Sequence, residues 1–122
     1  MKVAVPVDDR SLETTVCVSF GRAPYFMIYD TDTKEHIFID NSAADSPGGA
    51  GIKAAQAIVD HQVDALLTPR CGENAAEVIK AAGIKLYKTE SQSATDNINS
   101  FVAGKLSPLN DIHPGFHNRK GR

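Results

Sequence analysis

The sequence predicts an α/β fold in which one five-stranded mixed sheet carries helices on its faces. Five short segments have the alternating or β-branched pattern of strands, and three have the spacing of amphipathic helices. They follow one another as three strands and then as helix, strand, helix, strand and helix. Right-handed crossovers then favour the strand order 3-2-1-4-5, with the second strand antiparallel to its neighbours.

The first three strands are predicted within the first forty residues. Residues 2–7 alternate and are rich in valine, residues 25–29 are aromatic and β-branched, and residues 36–40 alternate again. A polar turn joins the last two segments into a hairpin. The connection over residues 11–24 is longer than most loops in compact domains, and such loops are often functional.

The second half of the chain contains two helix–strand units and a final helix. The first helix follows a loop of Ser, Asp, Pro and Gly, and we expect Ile52, Ala55, Ile58 and Val59 on its inward face. Short strands are predicted at residues 65–67 and 84–87. From these elements we predict a domain over residues 1–106 and a flexible tail, basic and containing histidine, over residues 107–122.

Composition narrows the class of protein. The chain has 122 residues, with 13 Lys and Arg against 15 Asp and Glu, which argues against a general nucleic-acid binder. No segment approaches the roughly 18 apolar residues of a membrane span, and acids appear too early for a signal peptide. We therefore expect a cytoplasmic protein, monomeric and without nucleic-acid or membrane partners, whose two cysteines are reduced.

The loops after the first and fourth strands carry the candidate binding residues. Ligands of such sheets bind beyond the carboxyl ends of the parallel strands. Cys17, Ser19 and Arg22 follow the first strand, and Arg70 and Cys71 follow the fourth. Each cysteine is either a small buried apolar side chain or a ligand. For Cys71, a neighbouring guanidinium and helix N-terminus would lower the thiol pKa.

Two glycine-containing loops run directly into helices, SPGGAGIKAA and RCGENAAE. Backbone N–H groups at helix starts attract anions, so these loops form either an anion site or flexible connections with tight packing. The candidate residues in them are Gly48, Gly49, Gly51, Gly72 and Asn74. Neither loop matches the phosphate-loop or dinucleotide pattern, so we expect no nucleotide.

Metal ligation by protein side chains has four candidate residues, namely Cys17, Cys71, His113 and His117. The two histidines stand four apart, but the intervening Pro and Gly oppose a regular helix, and solvated histidines are the alternative. The chain has no paired Cys-x-x-Cys motif of a closed zinc site, and two cysteines are too few for a four-cysteine cluster.

Catalysis has weaker support in the sequence. Several aspartates could serve a two-metal nuclease, but such residues are also common turn formers. They are Asp8, Asp9, Asp30, Asp60 and Asp64. No nucleophile–base pair is readable, and we expect a protein that is not an enzyme.

Three segments, FGRAPYFMIYD, GGAGIKAAQAIVDHQVDALLT and NAAEVIKAAGIKLYKT, resemble the dinitrogenase iron–molybdenum cofactor biosynthesis family. The resemblance covers roughly residues 2–104. That family includes nitrogenase cofactor accessory proteins and a molybdenum–copper-binding orange protein. The resemblance implies a ribonuclease H-like three-layer fold, and a carrier or chaperone of an anionic metal–sulfur cluster of molybdenum with iron or copper. It also implies cofactor-assembly proteins as partners.

The chain departs from the family pattern at two positions. Ser19 stands where members often have histidine before Phe-Gly, so a histidine ligand is missing there. Glu73 stands where the second loop often has proline, and it places an acid near an anion site. Against the carrier function stand two alternatives, a regulatory protein-interaction module and a ribonuclease H-like nuclease.

Overall fold

The computed structural model describes residues 1–110, 112 and 113, with only the backbone of His113. The strands are β1 (Lys2–Val7), β2 (Tyr25–Asp30), β3 (His36–Asp40), β4 (Ala65–Thr68), β5 (Cys71–Gly72), β6 (Lys85–Lys88) and β7 (Ile112–His113). The helices are α1 (Ala50–Asp60), α2 (Glu73–Ala81) and α3 (Ala94–Val102), and a 3₁₀ helix spans Ser42–Asp45.

The main sheet has five strands in the order β3-β2-β1-β4-β6. Strand β2 runs antiparallel to both β1 and β3, whereas β4 runs parallel to both β1 and β6. The predicted mixed sheet with three helices is confirmed. The strand expected as the fifth is β6, because the two-residue strand β5 precedes it in the chain.

Both faces of the sheet are buried at the central strand β1, which explains why β1 is apolar almost throughout. Val3, Val5 and Val7 point to the face that packs on α3 through Ile98, and all three are fully buried. Ala4 points to the opposite face, where α1 and α2 pack. The domain is therefore a helix–sheet–helix sandwich.

One residue of the predicted inward face of α1 points outward. Ile52 is 45% exposed, whereas Ala54, Ala55 and Ile58 fill the contact with the sheet. The expectation for Ile52 was wrong because the start of α1 projects beyond the sheet, where its first turn faces a cleft rather than the core.

The segment after residue 106 packs against the domain as far as the structure describes it. Leu109 is 4% exposed, and its N–H donates to the carbonyl of Leu86 at 3.0 Å. Strand β7 pairs in parallel with β5. These contacts extend the packed domain beyond the predicted boundary. The flexible tail stays a prediction, and residues 114–122 lie outside the described residues.

Candidate functional site

A cleft of about 620 Å³ opens at the carboxyl ends of β1 and β4. Three segments form it: residues 18–22 after β1, residues 47–52 around the start of α1, and residues 70–75 around the start of α2. Nine of the ten predicted binding residues line it, and Cys17 does not. The nine are Ser19, Arg22, Gly48, Gly49, Gly51, Arg70, Cys71, Gly72 and Asn74.

The start of α1 forms one wall of the cleft. Its N-cap is Gly49, whose φ of 69° is in the left-handed region that favours glycine. Within the described chain, no side chain accepts a hydrogen bond from the first turn of this helix. Its first N–H groups are therefore free of a side-chain cap and can bind an anion.

The start of α2 forms the facing wall. Its N-cap is Gly72, an extended residue, and again no described side chain caps the helix. A methyl group built on Gly51 would lie 3.6 Å from the Cβ of Ala75, so the first turns of α1 and α2 are in close proximity. Two helix starts without a side-chain cap from the described residues thus converge on one cleft.

Gly21 fixes how closely the first loop approaches α1. A Cβ at this position would lie 3.0 Å from both the N and the Cα of Gly51. Those are backbone atoms, which cannot turn away as a flexible side chain would. A glycine is therefore needed at position 21 to hold residues 18–22 against the helix start.

Arg22 and Lys53 order the loop before α1. The Arg22 guanidinium donates to the carbonyls of Ala44 and Ser46, both at 2.8 Å. Lys53 Nζ donates to Ser46 Oγ at 2.9 Å, and that hydroxyl donates to the carbonyl of Gly48 at 2.7 Å. These bonds keep both positive charges beside the glycines, although Arg22 is engaged in holding the loop.

Arg70 contributes an exposed guanidinium to the cleft. Glu73, the acid expected near an anion site, is also exposed but is not among the residues that line the cleft. Its place in the first turn of α2 lets it interact with the helix dipole instead. The charges next to the cleft volume are therefore predominantly positive.

Cys71 lies at the inner end of the cleft, and its side chain is 1% exposed. Burial raises the pKa of this thiol to about 11, and Lys80 opposes the rise only weakly. The expectation that Arg70 and the helix N-terminus lower this pKa was wrong, because desolvation of the thiolate is the main cause of the shift and the opposing charge is that of Lys80. At neutral pH the group is a protonated thiol.

Cys17 lies outside the cleft. It is half-buried and packs against the core beneath α1 and α2. Burial raises the pKa of its thiol, and the charge of Asp8 together with a hydrogen bond to Asp8 raises it further, against an opposing backbone hydrogen bond. Its role as a metal ligand stays a prediction.

Metal ligands do not cluster in the described part of the chain. Among those residues, no group of three or more His, Cys, Asp and Glu is placed to hold a metal ion. The side chain of His113 and all of His117, the two predicted histidine ligands, lie outside the described residues. The polar groups of the residues that line the cleft are therefore backbone N–H groups, two guanidinium groups, the Ser19 hydroxyl, the Asn74 amide and one thiol.

Sequence reasoning missed the apolar half of the cleft lining. The additional lining residues are Val18, Phe20, Gly21, Pro47, Ala50, Ile52 and Ala75. Each of these residues lies in or next to FGRAP or one of the two glycine-containing loops. Their position in the sequence beside the predicted residues could have identified them as part of the cleft lining.

Comparison with known proteins places the chain in a family. The model of the dinitrogenase iron–molybdenum cofactor family matches residues 1–104. The chain belongs to this family. An uncharacterized protein of Methanocaldococcus jannaschii is 33% identical over 109 residues, covering 87% of this chain and 89% of that protein.

Two solved structures are similar over nearly the whole chain. The apo form of the orange protein from Desulfovibrio gigas is 29% identical with a TM-score of 0.85, covering 90% of this chain and 93% of that one. A Thermotoga protein described as a candidate NifB protein is 35% identical with a TM-score of 0.79, covering 98% of each chain.

Within residues 1–110, 112 and 113, no helix is long and apolar enough to cross a membrane.

Proposed function

We propose that this protein is a non-enzymatic carrier that binds an anionic metal–sulfur cluster or thiometallate in the cleft and delivers it during metallocofactor assembly. The observation that supports this most strongly is the convergence of two helix N-termini without side-chain caps on one cleft. Family membership supports a role in binding an iron–molybdenum cofactor or a related cluster. The helix–sheet–helix sandwich is consistent with the ribonuclease H-like fold that the resemblance implies.

The chemistry of the cleft suits a complete anion better than a bare metal ion. N–H groups and guanidinium groups donate hydrogen bonds to sulfide or oxo groups, and they do not ligate cations. The protonated thiol of Cys71 belongs to the same donor set at neutral pH. We propose that the cargo arrives with its own sulfur ligands, and that Cys71 ligates copper or molybdenum only if it loses its proton.

Release of the cargo follows from the same contacts. Hydrogen bonds and ion pairs at an open cleft break without bond rearrangement, whereas thiolate–metal bonds would hold the cargo more tightly. A carrier that must hand on its cargo gains from this reversibility. We propose cofactor-assembly proteins as the receiving partners.

Anaerobic reconstitution tests the proposal. The protein is incubated with tetrathiomolybdate, with and without copper, freed of excess reagent, and analysed for metal content and visible absorption. We expect retention of molybdenum at a stoichiometric level, with a spectrum that differs from that of the free reagent. Failure of the wild-type protein to retain molybdenum under both conditions would contradict the carrier function.

A regulatory interaction module is the second candidate, and exposed apolar residues at the cleft favour it. Val18 is 67% exposed and Ile52 is 45% exposed, and both line the cleft. If this function is correct, wild-type protein retains no thiometallate, and a partner crosslinked to it in host extract is lost in the Val18→Ser variant. A nuclease has no comparable support, since the described aspartates form no metal-binding group.

A further inference from the structure

The five-stranded sheet has two edges, and the described part of the chain covers only one of them. At β6, Lys88 donates its N–H to the carbonyl of Ser107, and Leu109 donates to the carbonyl of Leu86. At β3, no strand or β-bridge of the described residues pairs with the outer side. An open edge is a template for pairing with the strand of another chain, so most proteins protect it.

The hydrogen-bond register shows which backbone groups of β3 point away from the sheet. The N–H of Asn41 donates to the carbonyl of Pro24 at 3.1 Å, and this pair continues the register of β2 and β3. Because hydrogen-bonded pairs alternate along an antiparallel ladder, the odd-numbered residues of β3 bond to β2. The even-numbered residues therefore direct their N–H and C=O groups outward, and they are His36, Phe38 and Asp40.

The side chains of β3 give this edge little protection. Its sequence, HIFID, contains neither proline nor lysine, the residues that commonly prevent pairing at an edge. Ile37 is 54% exposed, and Phe38 is only partly buried where it packs on the α3 side of the sheet. An apolar strand thus lies at the edge that the described chain leaves open.

The sequence of β3 is complementary to itself when two copies pair antiparallel with Phe38 at the centre. In that register, His36 of each copy lies opposite Asp40 of the other, and the two Phe38 rings lie opposite each other. These are the residues with outward backbone groups, so each pair can exchange two hydrogen bonds. A histidine opposite an aspartate and an aromatic pair both stabilise neighbouring strands. On the other face, Ile37 of each copy lies opposite Ile39 of the other.

We propose that this protein forms a dimer through antiparallel pairing of β3 with β3 of a second copy, which joins two five-stranded sheets into one. The inference goes beyond the carrier function and replaces the monomer expected from the sequence. Strand β3 runs parallel to β1, since both are antiparallel to β2, so Asp40 lies at the end of the sheet that holds the cleft. The two clefts of the dimer therefore open at opposite ends of the joined sheet.

Sedimentation velocity of the full-length protein at increasing concentration tests the pairing. We expect the mass of wild type to rise from 13.1 kDa towards twice that value. Ile37→Lys should raise the dissociation constant about tenfold or more, because it places a charge in the middle of the edge. The matched control is Val102→Lys, which changes another exposed apolar residue at the end of α3 and should leave association unchanged.

A charge exchange between exposed positions tests the register itself. His36→Asp places two carboxylates opposite each other and should weaken association. Adding Asp40→His restores a histidine opposite an aspartate and should return the dissociation constant to within about threefold of wild type.

Three outcomes overturn the inference: a wild type that stays monomeric, a dimer that responds equally to Ile37→Lys and Val102→Lys, and a loss in His36→Asp that Asp40→His does not reverse. Each of them leaves the carrier function intact, because β3 is not part of the cleft lining. Retention of thiometallate by the wild type is measured separately.

Discussion

The N-termini of the three helices differ in a way that separates the two faces of the sheet, since α1 and α2 pack on one face and α3 on the other. At α3, Ser93 Oγ accepts a hydrogen bond from the N–H of Asp96 at 3.1 Å. At α1 and α2 the corresponding residues are Gly49 and Gly72, and no described side chain provides such a bond. At α3 the serine side chain satisfies a backbone N–H of the first turn. A helix that begins at glycine has no such side chain, so the same N–H can bind a ligand.

Other polar groups close the region around α3 in the same way. Asn97 is buried, its Oδ1 accepts from the N–H of Glu90 at 2.8 Å, and its Nδ2 donates to the carbonyls of Ser91 and Ser93. The corresponding region before α1 also has ordered bonds, from Arg22 and Lys53, but they hold the loop and do not cap the first turn of the helix. Hydrogen-bond satisfaction, rather than helix orientation alone, therefore distinguishes a structural helix start from a binding one.

The largest expected effect is the pH dependence of stability that the Cys71 thiol causes. If the start of α2 binds anions, this thiol must be uncharged there. Burial raises its pKa from the ordinary value of 9.0 to about 11. A raised folded-state pKa contributes stability that is complete below about pH 9 and is lost as the pH rises towards 11. Two pKa units correspond to roughly 3 kcal/mol.

Urea unfolding at pH 8 and pH 11 measures this loss. Cys71→Ala is the reference, since it retains the other groups that titrate in this range. We expect the free energy of unfolding of wild type to fall by about 2–3 kcal/mol more than that of the variant. An equal fall in both proteins would mean that the thiol is not desolvated in the folded state.

Gly21→Ala should displace the start of α1 from the first loop. The added Cβ meets the backbone of Gly51 at 3.0 Å, and overpacking of this kind costs about 2 kcal/mol. We expect weaker thiomolybdate binding as well, because the N–H donors of α1 shift. Gly48→Ala is the matched control, since its Cβ meets nothing within 4 Å. Equal stability of the two variants in urea would refute the close approach.

Arg70→Gln removes an exposed positive charge from the cleft while α1 and α2 stay intact. We expect thiomolybdate affinity to fall about tenfold, which corresponds to about 1.4 kcal/mol. Stability should change by less than about 0.5 kcal/mol, as for most surface substitutions. Lys105→Gln removes an exposed charge outside the cleft lining and should leave binding unchanged. Similar losses in both variants would show that only net charge matters.

Ser93→Ala should give the smallest effect on stability, and it tests the capped start of α3. Loss of this N-cap should cost about 1 kcal/mol in thermal or urea unfolding. Thiomolybdate binding should not change, because α3 is not part of the cleft. The exposed neighbour Ser91 serves as control, and Ser91→Ala should alter neither property. Loss of binding in Ser93→Ala would remove the distinction between the helix starts.

Local patterns in the sequence were sufficient for the main elements of the fold. Residues 36–40 alternate over the full length of β3, and Gly83, at the end of α2, has the left-handed φ of 80° that its residue type predicts. The loops that line the cleft could also be located, because parallel strands end at one edge of the sheet. In the first two cases neighbouring residues contain the physical cause, and in the third the order of strands and helices along the chain is sufficient.

Features that depend on distant neighbours could not be read in this way. Strands β5 and β7 have two residues each, too few for any periodicity, and their pairing joins positions 41 residues apart. The pKa of Cys71 depends on its burial, which the adjacent Arg70 and Gly72 do not reveal. The use of Arg22 to hold two carbonyls depends on where residues 44 and 46 lie after folding.

The central claim is that the N–H groups at the starts of α1 and α2 bind an anionic cargo. An NMR titration of ¹⁵N-labelled protein with tetrathiomolybdate under anaerobic conditions tests it most directly. We predict saturable shifts for the amides of Ala50, Gly51, Glu73 and Asn74, with those of Thr95 and Asp96 unchanged. Saturable shifts at α3 without shifts at α1 and α2, or no saturable shifts at all, would contradict the claim.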